Sequence, residues 1–341
     1  MREPIDVAVV GATGLVGEAL LELLAERDFP LGELKLLASP RSAGRKLACG
    51  QREARVEALS PEALAGSRLV FISATDAISR AYGKLAAASG GVTIDDSGVW
   101  RMDPEVPLVV PEVNPEDVES HRGLLAIPNC STTPVAMVLA PLHRAAGVRR
   151  VTAATYQSVS GTGRAALEEL EAGSRASLAG REPEARVYPH PIAFNLLPEI
   201  GSFQPDGYTS EEWKMVRETR KILHAPELAV SATCVRVPVR VGHSVALHLE
   251  LDRPMEAEEA RALLAAMPGL ELVDEPGAHR YPQPIAAAGR DPVYVGRIRR
   301  DLSHPTGLAL WVVLDNLRKG AALDALQIAE ELLRRGRLQT L

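Results

Sequence analysis

The stretch IDVAVVGATGLVGEALLELLAERD (5–28) constrains the fold of this chain more than any other. Residues 5–10 form a short, nearly continuous apolar run, the pattern of a parallel strand buried on both faces. Glycines at 11, 14 and 17 follow, and leucines at 20, 21, 23 and 24 then give one apolar helix face. Strand, glycine turn and helix make the first unit of a dinucleotide-binding fold. Gly11, Gly14 and Gly17 let the backbone approach a pyrophosphate, whose charge is held by amides at the helix start. The spacing is G-x-x-G-x-x-G, not the commoner G-x-G-x-x-G, so a tight turn that binds nothing is the alternative.

The next apolar run, LKLLAS (34–39), reads as a second strand. A carboxylate near its end would hold a ribose 2′-hydroxyl, as NAD-preferring sites do. The sequence there is SPRSAGRK, and Ser39, Arg41 and Ser42 supply hydroxyls and a guanidinium instead. That chemistry suits a 2′-phosphate and points to NADP, with a solvated basic loop as the alternative. RLVFISAT (68–75) is a further buried strand ending in the small residues Ser73, Ala74 and Thr75, where a cofactor can lie close to the backbone. GVTIDDSG (91–98) is another, and SRAYGKLAAAS (79–89) is a helix between them. Strands alternating with helices predict a doubly wound sheet.

At 341 residues the chain is long enough for two domains and a large core. A net charge of −6, with no stripe of Lys and Arg, argues against nucleic-acid binding. Cys49, Cys130 and Cys234 are odd in number and widely spaced, which suggests reduced thiols in a cytoplasmic protein and not a disulfide framework. Glu3 and Asp6 interrupt any signal-peptide pattern at the start, and no apolar run approaches the length of a membrane span.

Chemistry concentrates in the middle of the chain. In AIPNCSTTPVAMVLAPLHRAA (126–146), Pro134 fits the first turn of a helix that Ser131, Thr132 or Thr133 could cap. Cys130 would then face the free amides of that turn, where a thiolate is favoured and an oxyanion finds donors. A buried structural cysteine is the competing reading, and it is the preferred one for Cys234 in the strand-like LAVSATCVRVPV. Gln157 lies in a β-rich run that breaks at Gly161 and Gly163; its amide could order water or substrate, although a glutamine in a strand is usually a surface residue. Arg236 and His243 bracket a bend containing Pro and Gly, after which Val245, Leu247, Leu249 and Leu251 alternate. An arginine there can hold a carboxylate bidentately, and a histidine can move protons near neutral pH, or simply cap the loop.

Taken together, VAVVGATGLVG, LASPRSAGRKL, WRMDPEVPLVVPEVN, IPNCSTT, TYQSVSGTG, HPIAFNLLPEIGSF, EEWKMVRETRKIL, CVRVPV with GHS, and AAGRDPVYVGRIRRDLSHPTGLALWVVLDNLRKGAALDALQIAE run in order from residue 5 to about 331. In these segments the chain closely resembles the aspartate-semialdehyde dehydrogenase family. The resemblance implies an NADP-dependent oxidoreductase that reduces L-aspartyl 4-phosphate to L-aspartate 4-semialdehyde and phosphate through a cysteine thioester, serving biosynthesis of lysine and diaminopimelate, threonine, methionine and isoleucine. It implies Cys130 as nucleophile, Gln157 as the residue orienting the acyl intermediate and His243 as acid–base. Arg236 is implied as the clamp on the substrate α-carboxylate, Arg101, Asn129 and Lys214 as the phosphate site, and Glu211 as the acid that takes the substrate ammonium, with Glu212 as the alternative.

The implied cofactor contacts are Gly11, Thr13, Gly14, Leu15, Val16, Ser39, Arg41, Ser42, Ser73, Ala74, Thr75, Ser160, Gly161 and Asn316, with no metal. The expected architecture is α/β: a Rossmann-type doubly wound parallel sheet over 1–128, and a mixed α+β catalytic and dimerisation domain over 129–316. A C-terminal helix within 317–341 is expected to pack back on the first domain, and a homodimer is implied. Two positions depart from the family pattern: Val245 where glutamate is frequent, and Asp324 where asparagine is usual. A related reductase acting on N-acetylglutamyl phosphate and a non-catalytic relative are the alternatives.

Overall fold

The computed structural model describes residues 3–88 and 90–338. The chain divides into two compact units, residues 1–129 with 321–341, and residues 130–320. Each is built around its own sheet.

The first unit begins with β1 (Ile5–Val10), α1 (Leu15–Glu26) and β2 (Leu31–Ala38). It continues through β3 (Lys46–Cys49), β4 (Arg52–Ala58), α2 (Pro61–Leu64), β5 (Leu69–Ile72), α3 (Asp76–Tyr82), α4 (Leu85–Ala88), β6 (Val92–Asp95) and β7 (Leu124–Ala126). The sheet order is β3-β4-β2-β1-β5-β6-β7, parallel except for the β3–β4 pair. This is the doubly wound sheet expected, and its order reverses beside β1, where such folds bind their ligands. The helix expected over 79–89 is two pieces, α3 and α4, and Ser89 lies outside the described residues. A side chain cannot be added at the break: a Cβ on Gly83 would stand 2.8 Å from the Trp100 indole nitrogen.

The second unit runs through α5 (Thr132–Ala146), β8 (Val148–Gln157), α6 (Arg164–Leu178), α7 (Ser210–Ile222), β9 (Ala229–Arg236), β10 (His243–Leu251), α8 (Ala257–Ala265), β11 (Leu270–Leu272), α9 (Pro284–Ala287), β12 (Val293–Arg300) and β13 (Gly307–Leu314). Its sheet order is β11-β12-β13-β10-β8-β9, with parallel pairs only at β11–β12 and β8–β9. The alternation read in β10 is real: Val245, Leu247, Leu249 and Leu251 are all buried. Helix α5 is apolar on nearly every side and correspondingly buried almost throughout.

The last helix, α10 (Leu323–Arg335), belongs to the first unit, where Leu326, Ala329 and Leu332 join Leu20, Leu24 and Leu125 in one apolar core. The expected C-terminal segment extends to 341, and its last three residues lie outside the described ones. Among the described residues no helix is long and apolar enough to cross a membrane.

Candidate active site

In the first unit the glycines do three different jobs. Gly11 has φ +86°, and a Cβ there would stand 2.0 Å from the Ser73 carbonyl oxygen. Gly17 brings α1 so close to the turn that a Cβ would lie 2.4 Å from the Gly11 oxygen. Gly14 caps α1 with extended backbone and no side chain over its amides, and Leu15 and Val16 open the helix. Backbone N–H groups at that end have no partner within the helix, so the turn is a cradle for an anion. Thr13 Oγ1 lies 3.4 Å from Ser42 Oγ, which draws the loop after β2 toward the cradle. Ser39 and Ser42 flank Arg41 in that loop as a short 3-10 turn. Ser73, Ala74 and Thr75 follow β5, with the Ser73 amide donating to the Val10 carbonyl at 3.0 Å. This backbone-lined surface could hold a nucleotide diphosphate, with Arg41 as a cation available to a 2′-phosphate.

Elsewhere in the same unit Arg101 is buried, and its Nη2 donates to the Asp96 carbonyl at 2.7 Å. Asn129, also buried, ends the first of the unit's two segments.

In the second unit Cys130 directly precedes Ser131, the N-cap of α5. The capping expected of Ser131, Thr132 or Thr133 does not occur. Ser131 already has helical backbone angles, φ −89° and ψ −24°, its side chain makes no capping hydrogen bond, and Thr132 and Thr133 lie inside the first turn. A capping side chain needs an extended residue from which to reach back, so the first-turn amides here are left to other partners. Cys130 is partly exposed, whereas Cys49 and Cys234 are buried. Burial pushes both of those thiols above their usual range, and the Glu211 charge pushes Cys234 further. Cys234 packs its sulfur 3.6 Å from that of Met215, as expected of a core cysteine. Gly320, within a π-helical turn, fits against Cys130; a Cβ there would stand 2.9 Å from the cysteine Cβ.

The remaining expected groups of this unit meet where strands end. Gln157 and Arg236 are register partners at the close of β8 and β9, and His243, opening β10, is opposite Leu314 at the close of β13. All three side chains are buried, including Gln157, for which a surface position was the usual expectation. Gln157 Oε1 accepts from Thr155 Oγ1 at 2.9 Å, and its Nε2 donates to Glu211 Oε1 at 3.1 Å. Glu211 Oε2 accepts from Lys214 Nζ at 3.0 Å, one turn along α7.

Neighbouring Glu212 is committed elsewhere. It closes a capping box with Thr209 and accepts from the Cys234 amide at 3.0 Å. Of the two acids, therefore, Glu211 is the one joined to Gln157.

Arg236 donates from Nη1 to the Ser158 carbonyl at 2.7 Å, and its guanidinium lies 5.9 Å from the centre of the Tyr188 ring. Its buried Nε has no hydrogen-bond partner among the described residues. His243 is fully buried. Its Nδ1 accepts from the Ser158 amide at 3.1 Å, while Nε2 has no partner among the described residues. Burial first, then the Arg236 charge, hold its pKa down to about 3 against the opposing pull of Glu211. A Cβ on Gly161 would lie 3.3 Å from both Arg236 Nη1 and His243 Nε2, so the glycine keeps open the space onto which both face. Asn316 Oδ1 accepts from Ser158 Oγ (2.9 Å), Ser160 Oγ (3.0 Å) and the Gly242 amide (2.9 Å), tying the loops together.

Sequence reading missed Ser158, Tyr188 and Gly320. Only Gly320 carried a signal, as a glycine inside a helical pattern. Of the two departures, Val245 is buried between Thr155 and Val312, and Asp324 is buried in the first turn of α10.

Two family models match the chain. Residues 6–121 match the NAD binding domain of semialdehyde dehydrogenase, and residues 139–319 match its dimerisation domain. The aspartate-semialdehyde dehydrogenase of Synechocystis sp. is 48% identical over 336 residues, covering 98% of this chain and 99% of that one. That of Aquifex aeolicus is 49% identical over 334 residues, covering 97% and 98%. The crystal structure of aspartate semialdehyde dehydrogenase II from Vibrio cholerae, complexed with ASA, has a TM-score of 0.94 and 42% identity, covering 98% of this chain and 99% of that one. With a glycine cradle in one unit, a cysteine at a helix mouth in the other, and likeness over nearly its whole length, the chain belongs to the aspartate-semialdehyde dehydrogenase family.

Proposed function

We propose that the protein catalyses the reversible, NADPH-dependent conversion of L-aspartyl 4-phosphate to L-aspartate 4-semialdehyde and phosphate. The observation that carries this reading is that Arg236 and His243 both face the space kept open by Gly161, while Gln157, the register partner of Arg236, is joined to Glu211. An α-amino acid side-chain carbonyl needs a cation for its carboxylate, an anion for its ammonium and polar groups at the reacting oxygen. Arg236, Glu211 and the Gln157–His243 pair supply these in turn.

Cys130 is the nucleophile, its thiolate favoured by the start of α5. It attacks the acyl phosphate and expels phosphate, leaving a thioester. Arg101, Asn129 and Lys214 are assigned the phosphate role that the family resemblance gives them. A nicotinamide held by the first unit's glycine turn would supply the hydride for the thioester. Gln157 orients the acyl group, and His243 acts on the oxygen of the tetrahedral intermediates. Ser39, Arg41 and Ser42 favour NADP over NAD. Ser160, Gly161 and Asn316 are the second unit's contacts to the cofactor. The first unit serves as the NADP-binding domain, and the second carries the chemistry and the surface of a homodimer. The enzyme works in the cytoplasm and binds no nucleic acid.

A reductase of N-acetylglutamyl phosphate is the alternative, but an acylated amino group is uncharged and gives Glu211 nothing to bind. Steady-state assays with each semialdehyde, phosphate, and NADP or NAD separate the two. Cys130→Ala is expected to abolish turnover in both directions while leaving nucleotide binding intact. A substantial residual rate would overturn the covalent route.

A further inference from the structure

Arg101 closes the run DDSGVWR (95–101), whose two adjacent carboxylates do different work. Asp95 is fully buried, and its oxygens are taken up by the fold. Oδ2 accepts from Ser79 Oγ at 2.5 Å, and Oδ1 from the Ser97 amide at 2.8 Å and the Ser97 hydroxyl at 2.5 Å. Ser79 Oγ in turn accepts from the Trp100 indole at 2.8 Å, which fixes the residue next to Arg101. Asp96 instead lies against the guanidinium.

The aim of Arg101 is set by backbone. Its Nη2 donates to the Asp96 carbonyl at 2.7 Å, and its side chain is only 6% exposed. The Asp96 side chain is 22% exposed; its Oδ2 accepts from Ser73 Oγ at 3.1 Å, and its Oδ1 stands 3.7 Å from Arg101 Nη2. That last distance is too long for a hydrogen bond, so the carboxylate brings the arginine a charge and no directional bond. Removing the charge would change the field at the guanidinium and leave in place the backbone bond that aims it.

We propose that Asp96 positions a negative charge against Arg101 and so weakens the hold of that arginine on phosphate, letting the anion leave once the thioester has formed. The inference rests on the phosphate role proposed for Arg101. An anion that approaches this guanidinium meets an ion pair and not a bare cation, and the carboxylate repels it. Phosphate is a product in one direction and a substrate in the other. Its site must therefore hold it firmly enough to aim it and loosely enough to release it. Asp96 acts here through Arg101, as a positioning residue.

The test is steady-state kinetics of the full-length protein in the oxidative direction, with phosphate varied at saturating semialdehyde and NADP. Asp96→Asn keeps the shape and an acceptor for Ser73, and should lower KM for phosphate by about three- to tenfold. The difference should shrink as salt is added, because the carboxylate is partly exposed. Asp96→Glu keeps the charge and should stay within about twofold of the wild type. In the reductive direction, phosphate should inhibit Asp96→Asn more strongly than the wild type. A carboxylate that merely holds Arg101 in place predicts the opposite sign. A KM for phosphate that rises or stays level in Asp96→Asn, or a fall that Asp96→Glu shares, overturns the proposal. So does a larger change in KM for NADP than for phosphate, which would assign Asp96 to the cofactor turn through Ser73. Arg101→Ala separates the two layers of the argument. If it leaves KM for phosphate unchanged, the role of Arg101 falls; if it raises that KM while Asp96→Asn does not lower it, this inference alone falls.

Discussion

Gly11, Gly14 and Gly17 lie within one strand–turn–helix unit and offer a ligand nothing but backbone. Gln157, Arg236, His243 and Asn316 come from the ends of four strands spread over the second unit, and there side chains are the working parts. The first site is specified by what must be missing, since almost any Cβ collides. The second is specified by which donors and acceptors find each other once four strands are in register. A backbone cradle fails sterically and locally. A buried polar cluster fails by leaving a partner unsatisfied, which costs ~1–3 kcal/mol per group and spreads to its neighbours.

Substitutions that act on one site and spare the other sharpen this contrast. Gly11→Ala should have the largest effect: the new Cβ meets the Ser73 oxygen at 2.0 Å, at φ +86°. Backbone strain of this kind costs ~1–3 kcal/mol before the clash is counted, so nucleotide affinity should fall about a hundredfold or more, while Cys130 alkylates at its wild-type rate. Undiminished nucleotide binding, read by fluorescence titration, would show that the turn is not a cradle.

The paired acids of α7 divide function from stability. Glu211→Gln removes the charge proposed to meet the substrate ammonium and should raise KM for the semialdehyde roughly tenfold or more, with little change in melting temperature. Glu212→Gln, which breaks the capping box and the bond to the Cys234 amide, should destabilise by about 0.5–2 kcal/mol with KM unchanged. The reverse pattern would exchange their roles.

Arg41→Ser should have the smallest effect. An exposed guanidinium is screened by salt, so the preference for NADP over NAD should drop by about tenfold or less, and more at low ionic strength. A preference unchanged at low salt would take Arg41 out of the cofactor site.

How far the two sites were legible follows from how they are made. The cradle could be read because its parts are contiguous: an apolar run, glycines at fixed spacing and an amphipathic helix all fall within one window. Cys130 was legible as a thiol before a helix, but the capping attributed to its neighbours was not correct, because Ser131 had already entered helical geometry. Gln157, Arg236 and His243 were recognisable through family motifs. Nothing local told that Gln157 would be buried or that it would bind Glu211, 54 positions away. Glu211 and Glu212 are adjacent and chemically identical, so only their partners distinguish them. Ser158 had no signal at all, since its importance lies in where its amide points.

The amino-acid sequence by itself determined the nucleotide turn, the doubly wound sheet that carries it and the inventory of reactive side chains. Those features depend on local sterics and on periodic burial, which any contiguous segment displays. Tertiary structure alone decided which of the two acids is joined to Gln157, which nitrogen of His243 meets the Ser158 amide and which cysteine stays accessible. Each depends on groups far apart in the chain, whose distances are set only when the strands of the second unit come into register.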